Sequence, residues 1–307
     1  MALPMHTKQI SENLFLIDLQ TGGFKNLIAS YIIKTDQTLI VETGPTSSVP
    51  NLISALKEVN VKPEDVAYIA ISHVHIDHGG GVGTLLRSLP NAKVIVHPRG
   101  APHLINPEKL WLQTEQTLDY VAKIFGEPEP VSKDRIITAV DGMEIDAGNG
   151  LKLRVIETLG HAAHHLSYYL PAYSGLFPGD AAGIFVNEFH AVIPTSPPPF
   201  RLEIALASLN KLMALEPKVL YYTHFGEASE AVKRLRRYTE QLKLWRNIAK
   251  DAAVNRQKID VIRERILTED ENMRKMAEFL KNHPVYSKTA IGNSIQGFID
   301  AVSKTQP

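Results

Sequence analysis

Three histidines and one aspartate, His73, His75, Asp77 and His78, fall within six consecutive positions of this 307-residue chain. They lie in Ser72-His73-Val74-His75-Ile76-Asp77-His78-Gly79-Gly80, directly after the apolar run that starts at Val66. On extended backbone, successive side chains point to opposite sides, so His73 and His75 can face one point. Asp77 and His78 then face a neighbouring point. Two ligand sets from one loop suit two adjacent metal ions. Imidazole and carboxylate ligands suit zinc, and also iron or manganese. The glycines that follow let the backbone turn tightly beside such a site. A polar surface turn that happens to hold three histidines is the competing reading of this segment alone. Three further residues weigh against it: His161 in Thr158-Leu159-Gly160-His161, Asp180 in Pro178-Gly179-Asp180, and His224 in Tyr221-Tyr222-Thr223-His224. Each stands just beyond an apolar, strand-like run.

Elements must bring these segments together. Leu14 to Leu19 reads as a strand, Thr21-Gly22-Gly23 as a turn, and Ile28 to Ile33 with Thr38 to Val41 as a hairpin around Thr35-Asp36. From Val49 to Asn60, Leu52, Ile53, Leu56 and Val59 share one helical face. Val66 to Ser72 is a buried-strand run, Leu85 to Leu89 is helical, and Lys93 to His97 is again a strand. The order β-β-β-α-β-α-β is that of an α/β domain with a covered sheet. In such sheets, sites gather beyond the strands' C-terminal ends. Residues 100–135 break the rhythm with prolines and an amphipathic helix around Leu112, Leu118, Val121 and Phe125, and read as an inserted cap. Strands resume at Ile136 to Val140, Met143 to Ile145, Leu151 to Thr158, Leu166 to Leu170, Leu176 to Phe177 and Val219 to Thr223, with a helix over Phe200 to Leu215. From Glu227 the chain is almost entirely helix-patterned and net positive, whereas the rest is net negative. Two units are therefore expected, 1–227 and 228–307, the second a helical lid or dimerisation arm.

Composition narrows the classes. With 44% apolar and 21% charged residues, the chain is an ordinary globular one. Its formal net charge is zero, so no global field draws it to nucleic acid or anionic membrane. Cysteine is absent, which excludes disulfides, thiolate catalysis and Cys-based zinc sites. That absence fits a cytoplasmic protein, which is the expected location. Met1 to Ile10 lacks the apolar run of a signal peptide. No stretch approaches the ~20 apolar residues of a membrane helix.

The H-x-H-x-D-H motif, a downstream Gly-His, a later Gly-Asp and a final strand-end His stand in the order found in the metallo-β-lactamase-fold superfamily. The chain resembles that superfamily over roughly residues 10–226. The resemblance implies a four-layer αββα sandwich with a C-terminal helical extension, and a dinuclear site at one edge where the sheets meet. It also implies that His73, His75 and His161 hold the first metal, that Asp77, His78 and His224 hold the second, and that Asp180 bridges them. Two divalent cations sharing a water lower its pKa from about 15.7 toward neutrality, giving a hydroxide nucleophile. Asp77 is the expected catalytic proton shuttle. Glu42, where the family usually has Asp, is expected to buttress the site. His165 is expected to hydrogen-bond behind it, and His164 to be partly exposed. His97, His103 and His190 read as structural or surface residues. Phe24, Tyr168, Phe185 and Phe189 are candidates for an apolar pocket wall.

The expected activity is hydrolysis of small esters, lactones, thioesters or phosphoesters, with phosphotriesters or phosphodiesters as accompanying substrates. True class B β-lactamases lack the bridging Asp. Long-capped nucleases of the family insert a domain between Asp180 and His224, where this chain is too short. Di-iron redox relatives replace the His75 position with Glu. A set of basic residues that would grip glutathione cannot be placed from the sequence. Two alternatives remain: an RNA-processing nuclease, suggested by the basic tail including Lys233, Arg234, Arg236 and Arg237, and a metal-binding protein without catalysis. Those basic residues read first as a solvated helix face.

Overall fold

The computed structural model describes residues 6–303, the side chains of 287–290 excepted. Met1–Met5 and the last four residues of the expected extension lie outside the described residues. Seven strands form the first sheet in sequence order: β1 (Thr7–Ser11), β2 (Leu14–Asp18), β3 (Ala29–Ile33), β4 (Thr38–Val41), β5 (Val66–Ala70), β6 (Lys93–Val96) and β7 (Ile136–Thr138). The first four pair antiparallel, and β4 to β7 run parallel. Next come β8 (Glu144–Asp146), β9 (Lys152–Glu157), β10 (Leu166–Leu170) and β11 (Gly175–Phe177). A two-stranded ribbon, β12 (Ile184–Val186) and β13 (Ala191–Ile193), interrupts before β14 (Val219–Tyr222) and β15 (Gly226–Ser229). The second sheet has the order β15-β14-β11-β10-β9-β8.

Period-two patterning decides which residue faces which layer. In β3, Ala29, Tyr31 and Ile33 point between the sheets, where they meet Leu153, Val155, Leu166, Tyr168 and Phe177. Ile32, on the opposite face, joins the outer core with Leu52 and Leu56 of the helix Val49–Glu58. On the far side the helix Leu202–Met213 covers the second sheet, with Ser208 Oγ donating to Leu159 O at 2.7 Å. The layers are therefore helix, sheet, sheet, helix, as expected.

Three elements escaped the sequence reading. The strand β1 lies in the stretch read as merely polar, because an edge strand half open to solvent carries little apolar signal. The ribbon β12–β13 is only three residues per strand. The strand β15 carries the second sheet through Ser229, past the expected boundary at 228. Residues 100–135 hold the helices Ala101–Ile105, Glu108–Leu118 and Tyr120–Phe125.

The C-terminal helices share a core with the sandwich. Leu235 and Trp245 of the helix Ala231–Val254, and Ile295 and Phe298 of the helix Tyr286–Ser303, lie in one cluster with Ile193 and Leu209. Buried Asp270 ties this layer together: its Oδ2 accepts from Trp245 Nε1 at 2.7 Å and Gln241 Nε2 at 2.8 Å, while Oδ1 accepts from Asn272 N at 2.9 Å. Gln241 Nε2 also donates to Val192 O of the ribbon at 2.9 Å. Asp270→Ala leaves buried Trp245 Nε1 without an acceptor and Gln241 Nε2 with only Val192 O, and should lower stability by about 1–3 kcal/mol. Thermal or urea unfolding measures this, and an unchanged midpoint would remove Asp270 from that role.

Candidate metal centre

The ligand-type residues follow the C-terminal ends of four strands: the Ser72–His78 segment after β5, His161 after β9, Asp180 after β11 and His224 after β14. Parallel pairing of β4 with β5 and of β11 with β14 sends these ends to a common edge. His75 closes the extended stretch, and Ile76–Gly79 form a helical turn in which His78 N and Gly79 N donate to His75 O. The turn swings Asp77 and His78 away from the side taken by His73 and His75. Gly179 has φ +53°, and a Cβ there would lie 2.6 Å from Ser72 Cβ and 2.7 Å from His165 Nε2. Only glycine lets the Asp180 segment lie this close to the histidine motif.

The structure brings all seven residues together, in two groups. His73 Nε2 is 2.8 Å from His75 Nδ1 and 3.2 Å from His161 Nε2, and His161 Nε2 is 3.1 Å from His75 Nδ1. In the second group His224 Nε2 lies 3.3 Å from His78 Nε2 and 3.5 Å from Asp77 Oδ2. Asp180 stands between them. Its Oδ2 is 3.6 Å from His161 Nε2, and its Oδ1 is 3.2 Å from His78 Nε2 and 3.8 Å from His224 Nε2.

Outer contacts set the ring orientations. His161 Nδ1 donates to Thr195 O at 3.0 Å and His224 Nδ1 to Leu27 O at 2.9 Å. A carbonyl only accepts, so both rings carry a proton on Nδ1 and turn Nε2 inward. Ser72 Oγ sits 2.9 Å from His73 Nδ1 and 3.3 Å from His78 Nδ1. Glu42, just past β4, takes the buttressing place expected of it: Oε1 is 3.3 Å from His78 Nδ1 and accepts from Ser72 N at 3.3 Å. His165 Nε2 accepts from Asp180 N at 3.1 Å, and its Nδ1 is 2.8 Å from Thr158 Oγ1. Thr195 Oγ1 donates to Asp180 O at 3.0 Å. The loop carrying Thr195 is in turn held by the last helix. Ser294 Oγ donates to Pro194 O at 2.7 Å and accepts from Ser196 N at 3.2 Å.

Electrostatics tests whether cations fit. Among the described residues, Asp77 and Asp180 have only imidazoles as ion-pair partners, and Glu42 has only His78. Asp180 Oδ1 is buried without a hydrogen bond. Burial would raise the Asp180 carboxyl, but His78 and His161 outweigh it and hold it well below its ordinary value. Burial acts likewise on Asp77, yet His78 and the His224 contact bring it to about 2. Burial, with His161 and His164 beside it, pushes His75 down to about 3, so it is neutral at physiological pH. His73 and His75, both pushed toward the neutral form by burial, hold Nε2 and Nδ1 2.8 Å apart, a repulsive contact of lone pairs unless positive charge sits between them. The donor set fits divalent cations. His73, His75 and His161 could hold one, Asp77, His78 and His224 another, and Asp180 offers one oxygen to each side.

The site opens on a cleft of about 1250 Å³, onto which His75, Asp77, His161, Asp180 and His224 face. The helix Glu108–Leu118 supplies one wall through Leu110 and Leu118, and the C-terminal helices supply another through Arg246, Lys250 and Tyr286. The aromatic residues on the wall are Phe125, Phe200 and Tyr286, and none of the four expected candidates is among them. Tyr168 and Phe185 are core residues, 0% and 1% exposed. Phe24 and Phe189 pack instead on His283 and Phe279. Tyr286 carried no signal in the sequence, since an aromatic residue in a helix pattern reads as core. Basic residues that could not be placed from sequence, Arg99, Arg201, Arg246 and Lys250, border the cleft. His97 is structural, paired with Glu157 at 2.9 Å.

Residues 25–224 match the metallo-beta-lactamase superfamily, and the chain belongs to it. It is a hydrolase of that superfamily. It is 30% identical to the metallo-beta-lactamase fold-containing protein ST1585 of Sulfurisphaera tokodaii over 68% of this chain and 77% of the relative. The crystal structure of that archaeal protein superposes with a TM-score of 0.65, covering 75% of this chain and 86% of the other. An N-acyl homoserine lactonase of Bacillus cereus is 25% identical over 73% of this chain and 90% of its own. A metallo-beta-lactamase family protein of Thermus thermophilus, at 23% identity and a TM-score of 0.60 over 79% of this chain and 83% of its own, shares the fold.

Glu42 orients His78 and the motif backbone, so Glu42→Ala should weaken zinc affinity about 10- to 100-fold. Competition against a chromogenic chelator measures this, and wild-type affinity in the variant would show that Glu42 orients nothing.

Proposed function

We propose that the protein is a dinuclear metal-dependent hydrolase of small esters, lactones, thioesters or phosphoesters. In this reading His73, His75 and His161 hold one cation, Asp77, His78 and His224 hold the second, and Asp180 contacts both. The observation that carries it is the placement of Asp180, whose two carboxylate oxygens are turned toward different imidazole groups. Zinc is the first candidate for both ions, with iron or manganese compatible with the same donors. When bound, such ions supply Lewis acidity and lower the pKa of a water.

The chain's own residues do the rest. Neutral His75, with His161 and His224 locked in one tautomer, keeps the donor geometry fixed before substrate arrives. Asp77 borders the cleft, turns Oδ2 toward His224, and is ionised at neutral pH. It can take the proton of the attacking water and pass it to the leaving group. Apolar residues such as Leu27, Ile28, Leu110 and Phe200 line the cleft and exclude bulk water around the reacting bond. A cleft at the upper end of ligand-site volumes, with a water-activating centre on one side, rejects few electrophiles, which supports accompanying phosphotriester or phosphodiester cleavage. The lactonase relative supports lactones within the range.

The purified protein is expected to carry about two divalent ions per chain. Turnover of chromogenic esters, lactones or phosphotriesters should be lost on chelation and restored by zinc. Asp77→Asn and His73→Ala should each lower kcat/KM by about a hundred-fold or more while circular dichroism stays unchanged. Metal-dependent, salt-sensitive cleavage of structured RNA without small-molecule turnover would replace this reading with a nuclease, and full activity in either variant would defeat the site assignment.

A further inference from the structure

Tyr286 opens the last helix and is 4% exposed. Its residue faces the cleft onto which His75, Asp77, His161, Asp180 and His224 also face. The ring is fixed from behind: it stacks on His283 at 4.5 Å between centroids and lies 6.0 Å from Phe279. Phe24 and Phe189 pack behind these two rings, at 5.7 Å from His283 and 5.2 Å from Phe279. The backbone is fixed as well, since Tyr286 N donates to His283 Nδ1 at 3.2 Å.

What this packing leaves free is the hydroxyl. Two buried tyrosines use theirs on the backbone: Tyr31 Oη donates to Tyr222 O at 2.7 Å, and Tyr168 Oη to Ile71 O at 2.7 Å. Tyr286 Oη makes no hydrogen bond to the described residues. A buried tyrosine hydroxyl normally finds a partner. Burial, then the negative charges of Glu188, Asp77 and Asp180, push its phenol well above its ordinary value, so it stays a neutral donor.

We propose that Tyr286 is a substrate-contacting catalytic residue, its hydroxyl donating a hydrogen bond to the carbonyl or phosphoryl oxygen that gains negative charge as the scissile bond is attacked. The inference rests on the hydrolase reading above. A donor aimed where charge develops stabilises the transition state more than the ground state. The role also gives the C-terminal extension a part in the chemistry, because the residue arrives on its last helix.

Tyr286→Phe removes only the oxygen and keeps the ring stack. With metal content and melting temperature unchanged, kcat/KM for a 4-nitrophenyl ester and for a lactone should fall about 10- to 100-fold. The Ki of an alkyl phosphonate, a tetrahedral anionic mimic, should rise by a similar factor. Wild-type kcat/KM in the variant overturns the proposal, and so does a fall in kcat/KM with an unmoved phosphonate Ki, since the hydroxyl would then act elsewhere. A wild-type protein that turns over no ester, lactone, thioester or phosphoester removes the hydrolase reading itself, a result distinct from either.

Discussion

A buried carboxylate must find positive charge, and the structure is arranged around how Asp180 finds it. It is 5% exposed, and one of its oxygens makes no hydrogen bond among the described residues. Its ion-pair partners are imidazoles on both sides. An anion in that position is tolerable only beside cations. The backbone that presents it is correspondingly over-determined. Asp180 N is held by His165, its carbonyl by Thr195 Oγ1 and Gly183 N, and the preceding glycine is pressed against Ser72. The two sheets meet at this point. Leu166 N of β10 donates to Ser72 O, and Tyr168 Oη to Ile71 O, so the histidine motif of one sheet is tied to the second sheet that presents Asp180.

The same arrangement divides the work. Strand ends hold the charged cluster. The cleft walls come from elsewhere: the helices between β6 and β7, the loop before the helix Leu202–Met213, and the tail. Of these walls, the loop before Leu202–Met213 also holds His161 and Asp180 through Thr195, so it is tied both to the cleft and to the cluster. The separation of the strand ends from the other walls accounts for relatives bearing such different names on one fold.

Legibility in the sequence followed how local the signal was. His73, His75, Asp77 and His78 announced themselves because four donors stood in six positions after a buried strand. Asp180 and His224 were found because each closes an apolar run, and the structure gathers them where strand ends converge. The layered fold was legible from the order of strand-like and helix-like runs, whereas the two faces of β3 were not, since Tyr31 and Ile32 are both fully buried and differ only in the core they join. The missing pieces depend on contacts distant in the chain. Nothing local in Tyr286 separates it from a core aromatic, and its cleft position exists only once the last helix has packed. The polar strand β1 is made a strand by its partner β2, not by its own pattern. Phe24 and Phe189 were rightly marked as aromatic and wrongly given to the wall, because their partners Phe279 and His283 lie far along the chain.

Whether the tail is a moving lid can be argued from what its movement would break. Ser294 holds Pro194 O and Ser196 N, and a Cβ at Gly297 would stand 1.7 Å from Ser196 O, so the last helix touches this loop backbone to backbone. Between Pro194 and Ser196 lies Thr195, whose carbonyl fixes His161 and whose hydroxyl fixes Asp180. Lifting the helix would therefore disturb the residues that present the donor atoms. Trp245 and Phe298, both buried and 5.7 Å apart, would also be exposed to water. These couplings argue for a fixed wall. The insertion differs from this wall in leaving apolar side chains open to solvent, with Leu112 and Tyr120 57% and 53% exposed.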